Sequence, residues 1–220
     1  MKPRAESTQR KTRIQRENRE RILEAALEVF STFGFRGATV DQIAIAAGMS
    51  KPNLLYYFSG KEDMQHGLLD HLMDIWLDPL REMNAEGEPL DEIRLYIKRK
   101  LHMARDYPRE SRLFASEILQ GAPRLQELLS VQLKSLVDEK VKVIQNWMEQ
   151  GKLARCSPYH LIFSIWSTTQ HYADFDAQLR VILTPDKYNV SRFEDAEQYL
   201  EQLFVHGLKP AEQKHITRKN

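Results

Sequence analysis

The segment Ser50–Glu62, SKPNLLYYFSGKE, brings two serine hydroxyls, two ammonium groups, an amide and two phenols into thirteen residues. That set suits hydrogen bonding to nucleic acid. Lysine donates to guanine O6 and N7, and asparagine bridges adenine N6 and N7. Tyrosine hydroxyls reach phosphate oxygens. On a helix opening at Ser50, Leu54 and Phe58 lie one turn apart and face inward, toward Phe30 and Ile43. Ser50, Lys51, Pro52, Asn53, Tyr56 and Tyr57 are then left at the helix start and on its outer face, as candidate DNA contacts. Lys61, opening the next helix, adds a phosphate contact. Thr39, at another helix N-terminus, can offer a hydroxyl and backbone N–H groups to the opposite phosphate backbone. The competing reading packs Tyr56 and Tyr57 between helices.

A second cluster lies in HLIFSIWSTTQHYADFDAQL, residues 160–179, an apolar helix with hydroxyls and an amide at its middle. Trp166 and Gln170 are four apart and share a face. An indole beside an amide makes a flat wall with a donor and an acceptor at its rim, suited to a planar heterocycle. Trp76 is the candidate opposite wall. Large aromatics at this spacing also serve as plain core, and His171 and Tyr172 fit a subunit interface equally well.

Helical periodicity supplies the elements that must position these groups. Residues 1–15 are polar and aperiodic and are expected to be a disordered basic tail. From Glu17, Ile22, Ala26, Val29, Phe30 and Phe33 fall on one face, and Gly34 is a plausible stop. Thr39 stands three residues before Gln42, a capping-box pattern. Val40, Ile43, Ala44 and Ala47 form a short apolar face that Gly48 ends. Ser50 caps a third helix with Pro52 in its first turn, stopping near Ser59-Gly60. Helix, glycine turn, helix is the helix-turn-helix plan, whose second helix enters a major groove. Helices are expected over 61–83, interrupted late by Pro79, then 88–106, 109–120, 124–150, 157–179 and 192–206. No long alternating strand pattern and no repeat occurs.

Composition bounds the function. The 220 residues carry a net charge of +1 and 42% apolar residues, enough for a core and unlike a disordered acidic chain. Residues 1–61 hold 11 basic and 6 acidic residues, a net +5, and the remainder a net −4. Seven of the basic residues lie in the first 20 positions. A basic lead-in meets a polyanion or serves as a solubilising tail. One cysteine, Cys156, excludes an internal disulfide and fits a reducing compartment. No apolar run approaches the roughly 18 residues of a membrane span, so a cytoplasmic protein with no membrane partner is expected.

Residues 17–64 resemble the DNA-binding domain of the TetR family of bacterial repressors. The family pattern LF..GF..T followed by I...AG.S...LY.HF..K appears here as LEVFSTFGFRGATVDQIAIAAGMSKPNLLYYFSGKE. Leu55 replaces the usual tyrosine and either touches a thymine methyl or packs inward. Tyr57 replaces the usual histidine, which keeps a phosphate contact and removes a protonation. The body resembles one family member in particular, a regulator of pyrimidine utilisation, through NLLYYF, DIWLDPL, RDYPRESRLFASEIL.GAP, LVDEK and LIFSIWSTTQHYADF. The resemblance implies an all-α, TetR-like fold. Its parts are a helix-turn-helix domain over 16–62, a helical ligand-binding and dimerisation domain over 63–210, and a disordered tail over 211–220. It also implies a homodimer whose interface is formed by the last two helices, where Leu200 and Phe204 are expected to be buried. Phe114 and Glu117 share a face of the helix that the family places under the pocket, and Phe114 joins Trp76, Trp166 and Gln170 as a candidate ligand contact.

The expected function is therefore a ligand-responsive repressor. It binds a palindromic double-stranded operator as a dimer and senses uracil, thymine or a related pyrimidine. The alternatives are a repressor answering to another small hydrophobic or aromatic ligand, and a ligand-free DNA-bound scaffold. An enzyme is disfavoured: there is no Gly-rich phosphate loop, G-x-S-x-G or H-E-x-x-H. No metal site or cofactor is expected, because His66 and His71, five apart, lie on different sides of a helix. Arg155 beside Cys156 is a group that can lower its pKa, but a lone loop cysteine is usually just a cysteine.

Overall fold

A computed structural model describes residues 4–210, with side chains from Arg13 onward. The expected tail at 211–220 and the first three residues lie outside the described residues. Every regular element described is helical. The helices are α1 (Arg4–Gly37), α2 (Val40–Ala46), α3 (Lys51–Tyr57), α4 (Lys61–Arg81), α5 (Pro89–Asp106), α6 (Pro108–Leu119), α7 (Gln126–Leu128), α8 (Lys134–Glu149), α9 (Pro158–Asp174), α10 (Asp176–Ile182) and α11 (Arg192–Leu208). Among the described residues no helix is long and apolar enough to cross a membrane.

Among the described residues two compact units form: residues 4–75 with 109–128, and residues 76–108 with 129–210. They do not follow the sequence boundary at 62/63, because α4 runs on without a break and α6 folds with the first unit. The chain is helical from Arg4, where an irregular tail was expected up to residue 15. Residues 4–15 contain no glycine or proline, and Arg13 and Arg16 pair with Glu17 and Glu20 one turn on.

In the first unit, Ile22, Ala26 and Phe30 of α1 close over Ile43, Leu54, Phe58 and Met64, all buried. Leu54 and Phe58 thus face inward as the period predicts. Phe33 does not: it is 55% exposed. Gly34 breaks the helix there, at φ 67° and ψ 167°, and Phe35 turns back beside Phe30 with ring centroids 5.6 Å apart. That left-handed φ costs glycine little and any other residue more. Gly48, at φ 64°, plays the same part between α2 and α3.

The second unit is built on α5, α8, α9 and α11. Ile93, Ile97, Val141, Ile144, Ile162, Ile165 and Leu200 belong to one buried cluster. Trp147 Nε1 donates to the Ala85 carbonyl at 3.0 Å and Lys140 Nζ to that of Met83 at 3.1 Å, pinning the α4–α5 turn to α8. The helix expected over 124–150 is interrupted by a π turn at Leu129–Leu133, where the chain passes into the second unit. The helix expected to reach Leu179 breaks at Phe175. Asp176 next to it accepts from Tyr188 at 2.6 Å and from Arg180 at 2.8 Å, holding the following turn.

Candidate nucleic-acid interface and ligand pocket

The helix-turn-helix is fixed by its caps. Thr39 Oγ1 accepts from the Gln42 amide at 3.2 Å, and Gln42 Oε1 accepts from the Thr39 amide at 2.8 Å, a complete capping box. Ser50 Oγ accepts from the Asn53 amide at 3.4 Å, and proline occupies the first turn of α3. With Leu54 buried, the rest of α3 has its orientation set. Lys51, Pro52, Asn53 and Leu55 are exposed, and Tyr56 is 72% exposed. Leu55 therefore does not pack inward.

Besides the capping residues Thr39 and Ser50, three more of the candidate contacts have partners within the chain. Lys51 Nζ pairs with Asp41 at 2.9 Å, both exposed, a contact worth little in water. Tyr57 is half-buried: its hydroxyl accepts from Asn18 at 2.8 Å and its carbonyl from Arg19 at 2.8 Å. Its ring meets that of Tyr56 edge-on at 5.1 Å. Lys61 Nζ donates to the Phe35 carbonyl at 3.0 Å and the Ala38 carbonyl at 3.1 Å, and lies 4.6 Å from the Phe35 ring centre. Lys61 thus clamps the turn between α1 and α2, a role that spacing alone does not reveal. On the first unit's α6, the buried carboxylate of Glu117 accepts from Gln65 and from Arg124.

In the second unit, α5 presents two polar side chains to the core one turn apart, Tyr96 and Lys100, 1% and 3% exposed. The half-buried Trp166 donates its indole N–H to Tyr96 Oη at 2.5 Å, so that indole edge is already engaged. Burial pushes the Tyr96 phenol well above its ordinary pKa. Lys100 Nζ lies 5.1 Å from the centre of the buried Trp76 ring. Burial pushes its amine down to about 8, against the opposing pull of Asp174. One face of α5 therefore carries the partners of both tryptophans. Gln170 is half-buried one turn beyond Trp166. Phe114 lies on α6, in the first unit. Tyr96 and Lys100 are not among the sequence candidates, although Lys100 stands out in the sequence as a cation on the apolar stripe of Ile93, Ile97 and Leu101.

The interface candidates separate. Leu200, 3% exposed, lies inside its own chain's core, because α11 packs against α5. It is not available to a partner subunit. Phe204 is half-buried beside that core. The outward apolar residues are Tyr159 and Phe163 on α9 and Tyr199 and Leu203 on α11, each 41–60% exposed. Cys156 has its thiol pushed up by partial burial, not lowered by Arg155. No group of three metal-ligating side chains occurs among the described residues.

Residues 22–67 match the family described as bacterial regulatory proteins of the tetR family, and residues 69–211 match the YcdC-like C-terminal region. The HTH-type transcriptional regulator RutR of Escherichia coli K12 is 43% identical over 204 residues, 93% of this chain and 96% of that protein. The uncharacterised HTH-type regulator YhgD of Bacillus subtilis is 24% identical over 62% of this chain and 72% of its own length. Among solved structures, AibR bound to isovaleryl coenzyme A and operator DNA superposes with a TM-score of 0.64 at 17% identity, covering 84% of this chain and 97% of AibR. The fatty acid degradation regulator FadR of Bacillus halodurans gives 0.61 at 18% identity, covering 85% and 94%. Matched along nearly its whole described length, the chain belongs to the TetR family of transcriptional regulators.

Proposed function

We propose that the protein is a repressor that binds an inverted-repeat operator as a homodimer and releases it on binding a pyrimidine such as uracil or thymine. On this reading α3 enters the major groove, with Lys51 and Asn53 at base edges and Thr39, Tyr56 and Tyr57 at phosphates, while Lys61 holds the α1–α2 turn. Lys51 exchanges Asp41 for a base at little cost, since the pair is exposed. Two heads on one two-fold axis meet half-sites about one helical turn, or a multiple, apart.

The observation that carries the effector reading is the polar face of α5. Lys100, 3% exposed against an indole, is a costly residue for a core unless its ammonium has a partner to serve. Between Trp76 and Trp166, a pyrimidine offers carbonyl oxygens that Lys100 can reach as a donor. It also offers an imide edge whose alternating donor and acceptor Gln170 can match. The resemblance to a regulator of pyrimidine utilisation supports the same ligand class. Release follows if the ligand binds one arrangement of the dimer better than the other, and couplings of this kind are typically about 1–3 kcal/mol. A second reading, an acyl-thioester ligand, has the AibR complex in its favour at 17% identity. It leaves the buried ammonium and the Gln170 amide without a task.

Calorimetry separates the two. Uracil should bind the wild type, and Gln170→Leu and Lys100→Met should each weaken it by about tenfold or more, because a buried polar edge of the ligand loses its partner. No heat at millimolar uracil overturns the pyrimidine assignment and leaves the operator reading standing. Equal binding by Gln170→Leu removes Gln170 from the site.

A further inference from the structure

A cavity of about 230 Å³ lies within the first unit, bounded by the end of α1, Gln65 of α4 and one side of α6. Phe30, Phe35 and Leu113 form its apolar part. Gln65, which lines the polar part, is 2% exposed and its two amide atoms are unequally served. Nε2 donates to Glu117 Oε2 at 3.2 Å, while Oε1 is buried and accepts from no described residue.

The orientation of this amide is dictated by its neighbour. Glu117, 1% exposed, accepts from the Arg124 backbone N–H at 2.9 Å and from the Arg124 guanidinium at 3.2 Å, as an ionised carboxylate does. Turning the Gln65 amide over would set two acceptors against each other with no proton between them. The orphan is therefore an acceptor, and a buried acceptor favours an occupant that brings a donor. Arg112, which can only donate, lines the same cavity. An acceptor and a donor on one small, half-apolar space match the N–H and C=O of a single amide.

We propose that this cavity is a second small-molecule site, for a neutral lactam or secondary amide that gives its N–H to Gln65 Oε1 and takes a hydrogen bond from Arg112. Its volume is below the usual 300–1,000 Å³ of ligand pockets, so the ligand is small. Its methylenes lie on Phe30 and Leu113. Once bound it ties α6 to α1 and α4, within the unit that carries α3. The site shares no residue with Trp76, Trp166, Gln170 or Lys100 and stands whether or not pyrimidines are the effectors.

The test is a 1H–15N titration of the full-length protein with 2-pyrrolidinone. The Gln65 side-chain NH2 signals should shift and saturate. N-methyl-2-pyrrolidinone, the same ring without the donor, should need about ten times more ligand, the factor set by about one hydrogen bond. Ser116→Leu, which fills the cavity and leaves the Gln65–Glu117 bond in place, should abolish the saturable shift. Gln65→Met, which removes the acceptor at similar volume, should do the same, read at the Leu113 and Ser116 backbone amides. Equal midpoints for the two lactams, a response that never saturates, or an undiminished response in either folded variant overturns the proposal and leaves water as the occupant.

Discussion

Replacing Lys61 with methionine distinguishes a DNA contact from a structural clamp. The ammonium donates to two carbonyls of the α1–α2 turn, Phe35 at 3.0 Å and Ala38 at 3.1 Å, and lies over the Phe35 ring. Hydrogen bonds from a charged donor contribute about 1.5–3 kcal/mol each, and an exposed cation–π contact about 0.5–1 kcal/mol. Lys61 is half-buried, so water re-solvates part of what is lost. A net loss of about 2–4 kcal/mol is expected after that discount. Methionine keeps the stem's packing, so the change isolates the ammonium. Urea unfolding of the full-length protein measures it. With a slope of about 1–3 kcal/mol per molar, the midpoint should fall by about 1–2 M at an unchanged slope. A phosphate contact alone predicts a different pattern: stability within about 0.5 kcal/mol and a salt dependence of operator binding reduced by about one counterion per subunit. Unchanged stability would refute the clamp.

Thr39→Ala removes one half of the capping box and should destabilise by about 0.5–2 kcal/mol in the same unfolding experiment. The depressed pKa of Lys100, about 8, sets a sign. Between pH 8 and the unfolded value near 10.4 the unfolded chain binds the extra proton, so stability should rise across that window, and Lys100→Met should flatten the rise. Phe163→Asp combined with Leu203→Lys should yield folded monomers by light scattering, since both residues face outward. Leu200→Asp should instead destabilise by several kcal/mol through a buried, unpaired charge.

What could be read ahead of the structure was local. The caps at Thr39 and Ser50, the inward pair Leu54 and Phe58, and the stop at Gly34 depend on neighbours within a turn or two, and the structure has each of them in place. What escaped depended on distant partners. Phe33 fits the apolar period of α1 and is exposed, because Phe35 returns across the break to Phe30. Lys61 has the sequence position of a phosphate contact and meets carbonyls some 25 residues earlier. Tyr96 and Lys100 meet Trp166 and Trp76 across helices, contacts that local spacing does not encode. Leu200 and Leu203 are equally apolar in the sequence, and only helix packing shows which one faces outward.

The central claim is that one dimer couples a pyrimidine to an operator. Its most direct test is fluorescence anisotropy on a selected inverted-repeat operator at fixed salt, with and without uracil at a concentration that saturates binding by calorimetry. Operator affinity should fall by about 5–150-fold, the range of a coupling of about 1–3 kcal/mol. Lys100→Met should keep operator affinity while losing the response. Operator affinity unmoved by saturating uracil would contradict the account.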